Sequence, residues 1–216
     1  MTSIFLASWE ICLDKSMSIW HSRWTYPVWI FFPQKTHPFG TEWHTACCAL
    51  SDILFVVELV EGKAHPRQAD PLEFEDLSRK NVGLLLRMMK IYFSTGRYVI
   101  LDSGFYVLKG LIQLRDKGIF SCAVIKKRRY WPSMVPGKDM EDHFGEVEVG
   151  ETYAIHGTVD DAIYNLWGMK EPNYLTRMMA TGGRLFTDDT FKETVRIWKE
   201  YGEDVVKKFK YNMPFN

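Results

Sequence analysis

The sequence predicts an α/β domain built on a mixed sheet flanked by helices, and three observations carry that reading. Two β-rich runs, WHTACCAL (43–50) and ILFVVELVEG (53–62), are separated by Ser51-Asp52 and read as an antiparallel hairpin. Val82, Leu85, Leu86 and Met89 then fall at i, i+3, i+4 and i+7, on one helical face. Beyond them RYVILD (97–102) and IFSCAVIKK (119–127) read as strands on either side of a second helix, the alternation of a βαβ unit.

The elements follow in order. Residues 9–14 (WEICLD) read as a short buried strand ending in a carboxylate, and 26–32 (YPVWIFF) as an extended piece that Pro27 demotes toward an edge. The stretch 64–80 is polar and contains prolines, as a loop would be. Gly96 closes the first helix. Ser103 is in position to cap the second, which runs through Leu108, Leu111 and Ile112 to a stop at Gly118. After residue 128 the character changes, with an acidic loop at 138–151 and short strands near TYAIHGTV, AIYNLWGM and NYLTRMMA. From about Thr190 to Lys210 the chain reads as helical or mixed.

A chain of 216 residues fits one domain with a modest insertion, large enough for one apolar core without disulfide support. Twenty-seven basic and 27 acidic residues cancel, so any charged function has to come from local clusters. Cys12, Cys47, Cys48 and Cys122 form no C-x-x-C pair, which points to buried thiols rather than a zinc site or disulfide framework. The opening MTSIFLASWEICLD lacks a basic n-region, and no uncharged run is long enough for a bilayer. A soluble, intracellular protein without a membrane partner is expected.

The chain has no G-x-G-x-x-G, Walker A, G-x-S-x-G or H-E-x-x-H motif, and no two histidines stand three or four apart. Asp14 and Asp102 remain, each near the C-terminal end of an apolar strand. If those strands are neighbours, the two carboxylates meet at one edge. Hard divalent ions take such oxygen ligands, and a pair of ions can clamp both oxygens of a phosphoryl transfer. An aspartate after a strand also serves as a turn former or helix cap, and spacing alone leaves both roles open.

Lys126, Lys127, Arg128 and Arg129, followed by Tyr130 and Trp131, combine phosphate-pairing charge with stacking surface. The same run also fits a solvated strand end. Trp9, Trp29 and Trp43 lie in strand-like runs and read as core or sheet-face residues, and Met88 and Met89 as core packing. Trp20 and Trp24, beside His21 and Arg23, read as more exposed, and the isolated His37 and His44 as structural.

ICLDKSM, IFFPQKTHPFG and YVILDSGFYVLKGLIQLRDKGIFSCAVIKKRR, in that order, resemble the catalytic core of the piggyBac transposase family. Pro33 through Gly40 resembles that family's Pro-x-Lys-Pro-x-x-x-Gly segment, and Asn165 through Leu175 its Trp-x-Asp-Lys-Lys-Pro-Val-Tyr-Leu stretch. Tyr211-Asn212-x-Pro214 resembles the approach to the family's third catalytic aspartate. The resemblance implies a ribonuclease H-like fold in which Asp14 and Asp102 are the first two metal-binding, catalytic carboxylates. It also implies Mg²⁺ or Mn²⁺ if the chain is active, DNA as ligand and a nuclear location.

It further implies a division into a ribonuclease H-like core (1–129), a β-rich insertion (130–180) and a return toward the core (181–216). Lys15 stands where the family has an acidic or amide residue, and Ser103 where it has Asn. The third aspartate is expected just past Asn216. The family's N-terminal DNA-binding region and C-terminal zinc-binding tail have no counterpart in these residues. A fragment or decayed copy follows, inactive or very weak in DNA cleavage and joining. The alternatives are a non-catalytic DNA- or protein-binding remnant and a single-metal nuclease.

Overall fold

The computed structural model describes residues 7–19, 30–33, 38–60, 73–74, 80–126, 142, 144–159 and 162–181, with 192 and 196. Nine strands among them form one sheet: β1 (Glu10–Ile19), β2 (Ile30–Phe31), β3 (Phe39–Cys48), β4 (Leu54–Leu59), β5 (Tyr98–Leu101), β6 (Phe120–Val124), β7 (Thr152–Val159), β8 (Ala162–Lys170) and β9 (Leu175–Thr181). Two helices, α1 (Lys80–Met89) and α2 (Leu108–Asp116), complete the described elements, with a short 3₁₀ turn at Lys90–Tyr92.

The spatial order is β2-β3-β1-β5-β6-β9-β8-β7, and β4 pairs with β3. Strands β1, β5 and β6 run parallel, and every other pairing is antiparallel. The helix between β5 and β6 is the crossover that a parallel pair needs. β5 (YVIL) and β6 (FSCAV) have neighbours on both edges and are apolar at nearly every position, as strands covered on both faces must be.

Alternation along each strand sorts side chains between two apolar layers. Ile11, Leu13, Val99, Leu101 and Ala123 pack with Val82, Leu85, Leu86 and Met89 of α1 and with Leu111 and Leu114 of α2. Cys12, Cys47, Ile100, Cys122, Val124, Trp167, Met178 and Ala180 form the opposite layer. All four cysteines are free and buried, as their spacing predicts. A polar pair between the central and antiparallel halves is satisfied: the Ser121 amide donates to Thr181 Oγ1 at 2.9 Å.

The helices pack closely at Gly110 of α2, where a Cβ would lie 2.7 Å from the Leu85 Cδ1 methyl of α1 and that side chain would have to turn aside. Gly118 ends α2 at φ 71, where a Cβ would also meet the Ser94 backbone at 2.9 Å.

Three expectations change. β1 does not end at Asp14: its second edge is paired with β3 as far as Ile19↔Gly40, and that ladder carries the strand five residues further. Ser103 does not cap α2. That helix starts at Leu108 after an extended Val107, because Phe105 and Tyr106 are first drawn into the core. Trp9 is 41% exposed, in the bend that precedes β1 rather than within a sheet face. The hairpin, both helices and the strands near 97–102, 119–127 and 152–181 form as read, while Trp20, Trp24, Trp29, His37 and all of the 190–210 segment but 192 and 196 lie outside the described residues.

Leu111 is fully buried between α2, α1 and the sheet. Truncation to alanine is expected to lower unfolding stability by about 3 kcal/mol through lost burial and the cavity left behind. Urea titration checks this as a shifted midpoint at unchanged slope, and a loss under about 1 kcal/mol would mean α2 is not seated as described.

Candidate active site

The parallel ladder between β1 and β5 fixes the site. Its register is Glu10↔Tyr98, Ile11↔Val99, Cys12↔Ile100 and Leu13↔Leu101. The next residue on each strand is an aspartate, and the Asp102 amide extends the ladder toward Leu13 O at 3.4 Å. Asp14, within β1, and Asp102, directly after β5, thus follow the last in-register pair of the two strands. The two sequence candidates are therefore side by side, at the C-terminal end of the parallel pair.

A tight turn presents Asp102. Its carbonyl accepts from the Phe105 amide at 2.9 Å, and its Oδ2 accepts from the Gly104 amide at 3.1 Å and Ser103 Oγ at 3.5 Å. The carboxylate takes the local backbone donor, which is how aspartate shapes such turns. Asn81, near the start of α1, donates to Gly104 O at 3.3 Å and ties the turn to the helix layer. Asp14 Oδ1 accepts from the Lys15 amide at 2.7 Å.

Two lysines converge on this pair. Lys126 Nζ lies 3.9 Å from Asp102 Oδ1. Lys15 points to the helix face, where its Nζ sits 3.9 Å from Glu42 Oε1 and 5.3 Å from the centre of the Phe105 ring. The lysine ends at the Gly104 turn: a Cβ there would be 3.6 Å from Lys15 Nζ and 3.5 Å from Asp102 Oδ2. Of the basic run only Lys126 can be placed, since Lys127, Arg128 and Arg129 lie outside the described residues.

Behind Lys15 the helix face carries more charge. His44 pairs with Lys15 in register and meets the Phe105 ring edge-on at 5.5 Å. Burial, aided by the Lys15 charge, lowers its pKa to about 4, so the ring is neutral at pH 7. Glu58 faces His44 from β4, and Arg87 of α1 grips it with two bonds of 2.8 and 3.0 Å. Glu42 and the Arg87–Glu58 pair were not legible as site neighbours, because only the β1–β3–β4 register and the seating of α1 bring them near Lys15.

Among the described residues no group of three or more His, Cys, Asp or Glu side chains is placed to share one ion, so a divalent ion here would rest on Asp14 and Asp102, with water or substrate oxygens completing its shell. Both Asp102 oxygens already face a donor or a cation, and Asp14 accepts from the chain itself.

Order and pairing of the strands define an α/β, ribonuclease H-like mixed sheet flanked by helices. The chain belongs to the family described as Transposase IS4, whose model matches residues 1–194. Its fold is similar to that of a piggyBac transposase solved by cryo-EM in a synaptic complex with hairpin DNA, at 12% identity and a TM-score of 0.67. The likeness covers 95% of this chain and 40% of that one, so the chain spans well under half of that transposase. No curated protein sequence matches it. No helix among the described residues is long and apolar enough to cross a membrane.

His44 gives the site a pH signature. Its folded pKa lies below the value of about 6.5 in the unfolded chain, so the unfolded state binds more protons between the two. Stability from this residue is complete above pH 6.5 and is lost as pH falls toward 4, with about 2 kcal/mol gone by pH 5. Urea midpoints at pH 7 and pH 5 are expected to differ by that much more in the native chain than in His44→Phe. Equal differences would mean His44 is not buried as a neutral ring.

Proposed function

We propose that this chain is a piggyBac transposase-like domain whose ancestral reaction is metal-dependent cleavage and transfer of DNA strands, and which is inactive as it stands. The observation that carries the reading is that Asp14 and Asp102 each directly follow the last in-register pair, Leu13↔Leu101, of two adjacent parallel strands. They are the ancestral catalytic and metal-binding carboxylates, and Mg²⁺ or Mn²⁺ is the ion such a pair would take in an active relative. Inactivity follows from Lys15 and Lys126, which crowd the carboxylates with positive charge where the chemistry needs a hard cation.

The domain division belongs to the same proposal: a core over 1–129, a β-rich insertion over 130–180 and a return segment over 181–216. Strands β7, β8 and β9 of the insertion are hydrogen-bonded onto the sheet through β6. The partner is DNA, which carries with it a nuclear place of work.

A second reading is favoured by one observation. Lys126 stands at the carboxylates and opens the run Lys126, Lys127, Arg128 and Arg129. Four cations in a row suit a phosphate backbone, so a remnant that binds DNA without cutting it fits the same residues. Alanine at all four is expected to weaken duplex binding and flatten its salt dependence. Binding indifferent to the four changes and to salt would remove DNA from this account.

The catalytic reading is tested with supercoiled plasmid, the purified chain and Mg²⁺ or Mn²⁺, with Asp14→Ala and Asp102→Ala as controls. No nicking above either control is the expected result. Metal-dependent nicking abolished by both substitutions would show a working site and overturn the inactive assignment.

A further inference from the structure

Two carboxylates on neighbouring strands, about 5 Å apart by strand spacing, repel each other unless something between or beside them compensates. Lys126 supplies one positive charge, 3.9 Å from Asp102 Oδ1, from the strand end on the far side of β5. Lys15 brings another into the neighbourhood: a Cβ on Gly104 would lie 3.6 Å from its ammonium and 3.5 Å from Asp102 Oδ2. The same lysine donates its main-chain N–H to Asp14 Oδ1. One residue therefore serves both aspartates, through its backbone to the first and its side chain toward the second.

Lys15 is held in this role. Its side chain is 31% exposed, its ammonium lies over the Phe105 ring, and Glu42, buried behind it, fixes the direction of approach. The Gly104 turn brings the two groups near each other: a Cβ there would be in ordinary contact with Lys15 Cε at 3.4 Å, Asp102 Oδ2 at 3.5 Å and Lys15 Nζ at 3.6 Å.

We propose that Lys15 and Lys126 are resident counter-ions of the Asp14–Asp102 pair, taking the electrostatic place of a divalent metal and excluding it. The inference rests on the reading of Asp14 and Asp102 as the ancestral carboxylate pair, and adds what now occupies their charge. It makes the loss of metal binding a property of two side chains, reversible by substitution, rather than a collapse of the site.

The experiment is calorimetric titration of the full chain with MgCl₂ and with MnCl₂, with thermal unfolding of every variant as a check on folding. Lys126→Ala removes the exposed cation. Removing Lys15 alone would leave Glu42 buried without its cation, so the second variant is Lys15→Gln with Glu42→Gln, and the third combines all three changes. The native chain is expected to show no saturable binding below about 10 mM, and each lysine removed to raise affinity roughly tenfold. In the combined variant binding is expected to vanish again on Asp14→Asn with Asp102→Asn.

Saturable binding by the native chain that needs both aspartates would overturn the counter-ion role while leaving the carboxylate pair intact as a metal site. A folded combined variant that binds nothing would overturn it as well, because the lysines would not be what excludes the ion. Binding gained by the combined variant but indifferent to both aspartates would instead overturn the reading of the pair itself.

Discussion

The parallel pairing of β1 with β5 sets Leu13 beside Leu101, and the residue after each is an aspartate. That register constrains the rest of the molecule. It delivers Leu13 and Leu101 to the helix side and Cys12 and Ile100 to the other, so both apolar layers depend on the same pairing. A slip of one residue would send half of these side chains to the wrong face. The aspartates stand at one level because the hydrophobic residues before them are paired in register, and site geometry is here a by-product of core packing.

The neighbours of β1 explain why the site carries so much local charge in a chain with no net charge. β3 pairs with the far edge of β1 beyond Asp14, and β4 pairs with β3, so Lys15, His44 and Glu58 fall in one row across three strands. Arg87 closes the row from α1, with both its bonds to Glu58 largely shielded from solvent. A buried charge is tolerated only when paired, and the row alternates so that each carboxylate has a cation within reach. Lys15 joins this row at its side chain and the aspartate pair at its backbone. A change there is felt on both faces of the sheet.

Much of the fold could be read from the chain because its signals are local. The run YVIL, the spacing of Val82, Leu85, Leu86 and Met89, and Gly118 at φ 71 each act within a few residues. Asp14 and Asp102 were legible as a pair for the same reason, each marked by the apolar strand before it. What could not be read was non-local. β1 outruns Asp14 because a partner 30 residues away supports it, and Ser103 loses its capping role to a turn that Asp102 and the buried Phe105 organise. Glu42 and Gly104 carry no signal of their own. Only register brings the first to Lys15, and only the path of the turn sets the second beside both Lys15 and Asp102.

On the proposed reading the site is an inherited scaffold with altered electrostatics: strands that align two carboxylates, and lysines that answer their charge. Both halves of that statement stand on the β1–β5 register. It is tested most directly by cross-strand nuclear Overhauser contacts in the isotopically labelled chain. The account predicts short contacts that pair Leu13 with Leu101, together with contacts from the Asp102 amide to the Leu13–Asp14 backbone. Contacts pairing Asp14 with Leu101, one residue out of step, would place the two carboxylates on opposite faces and contradict it.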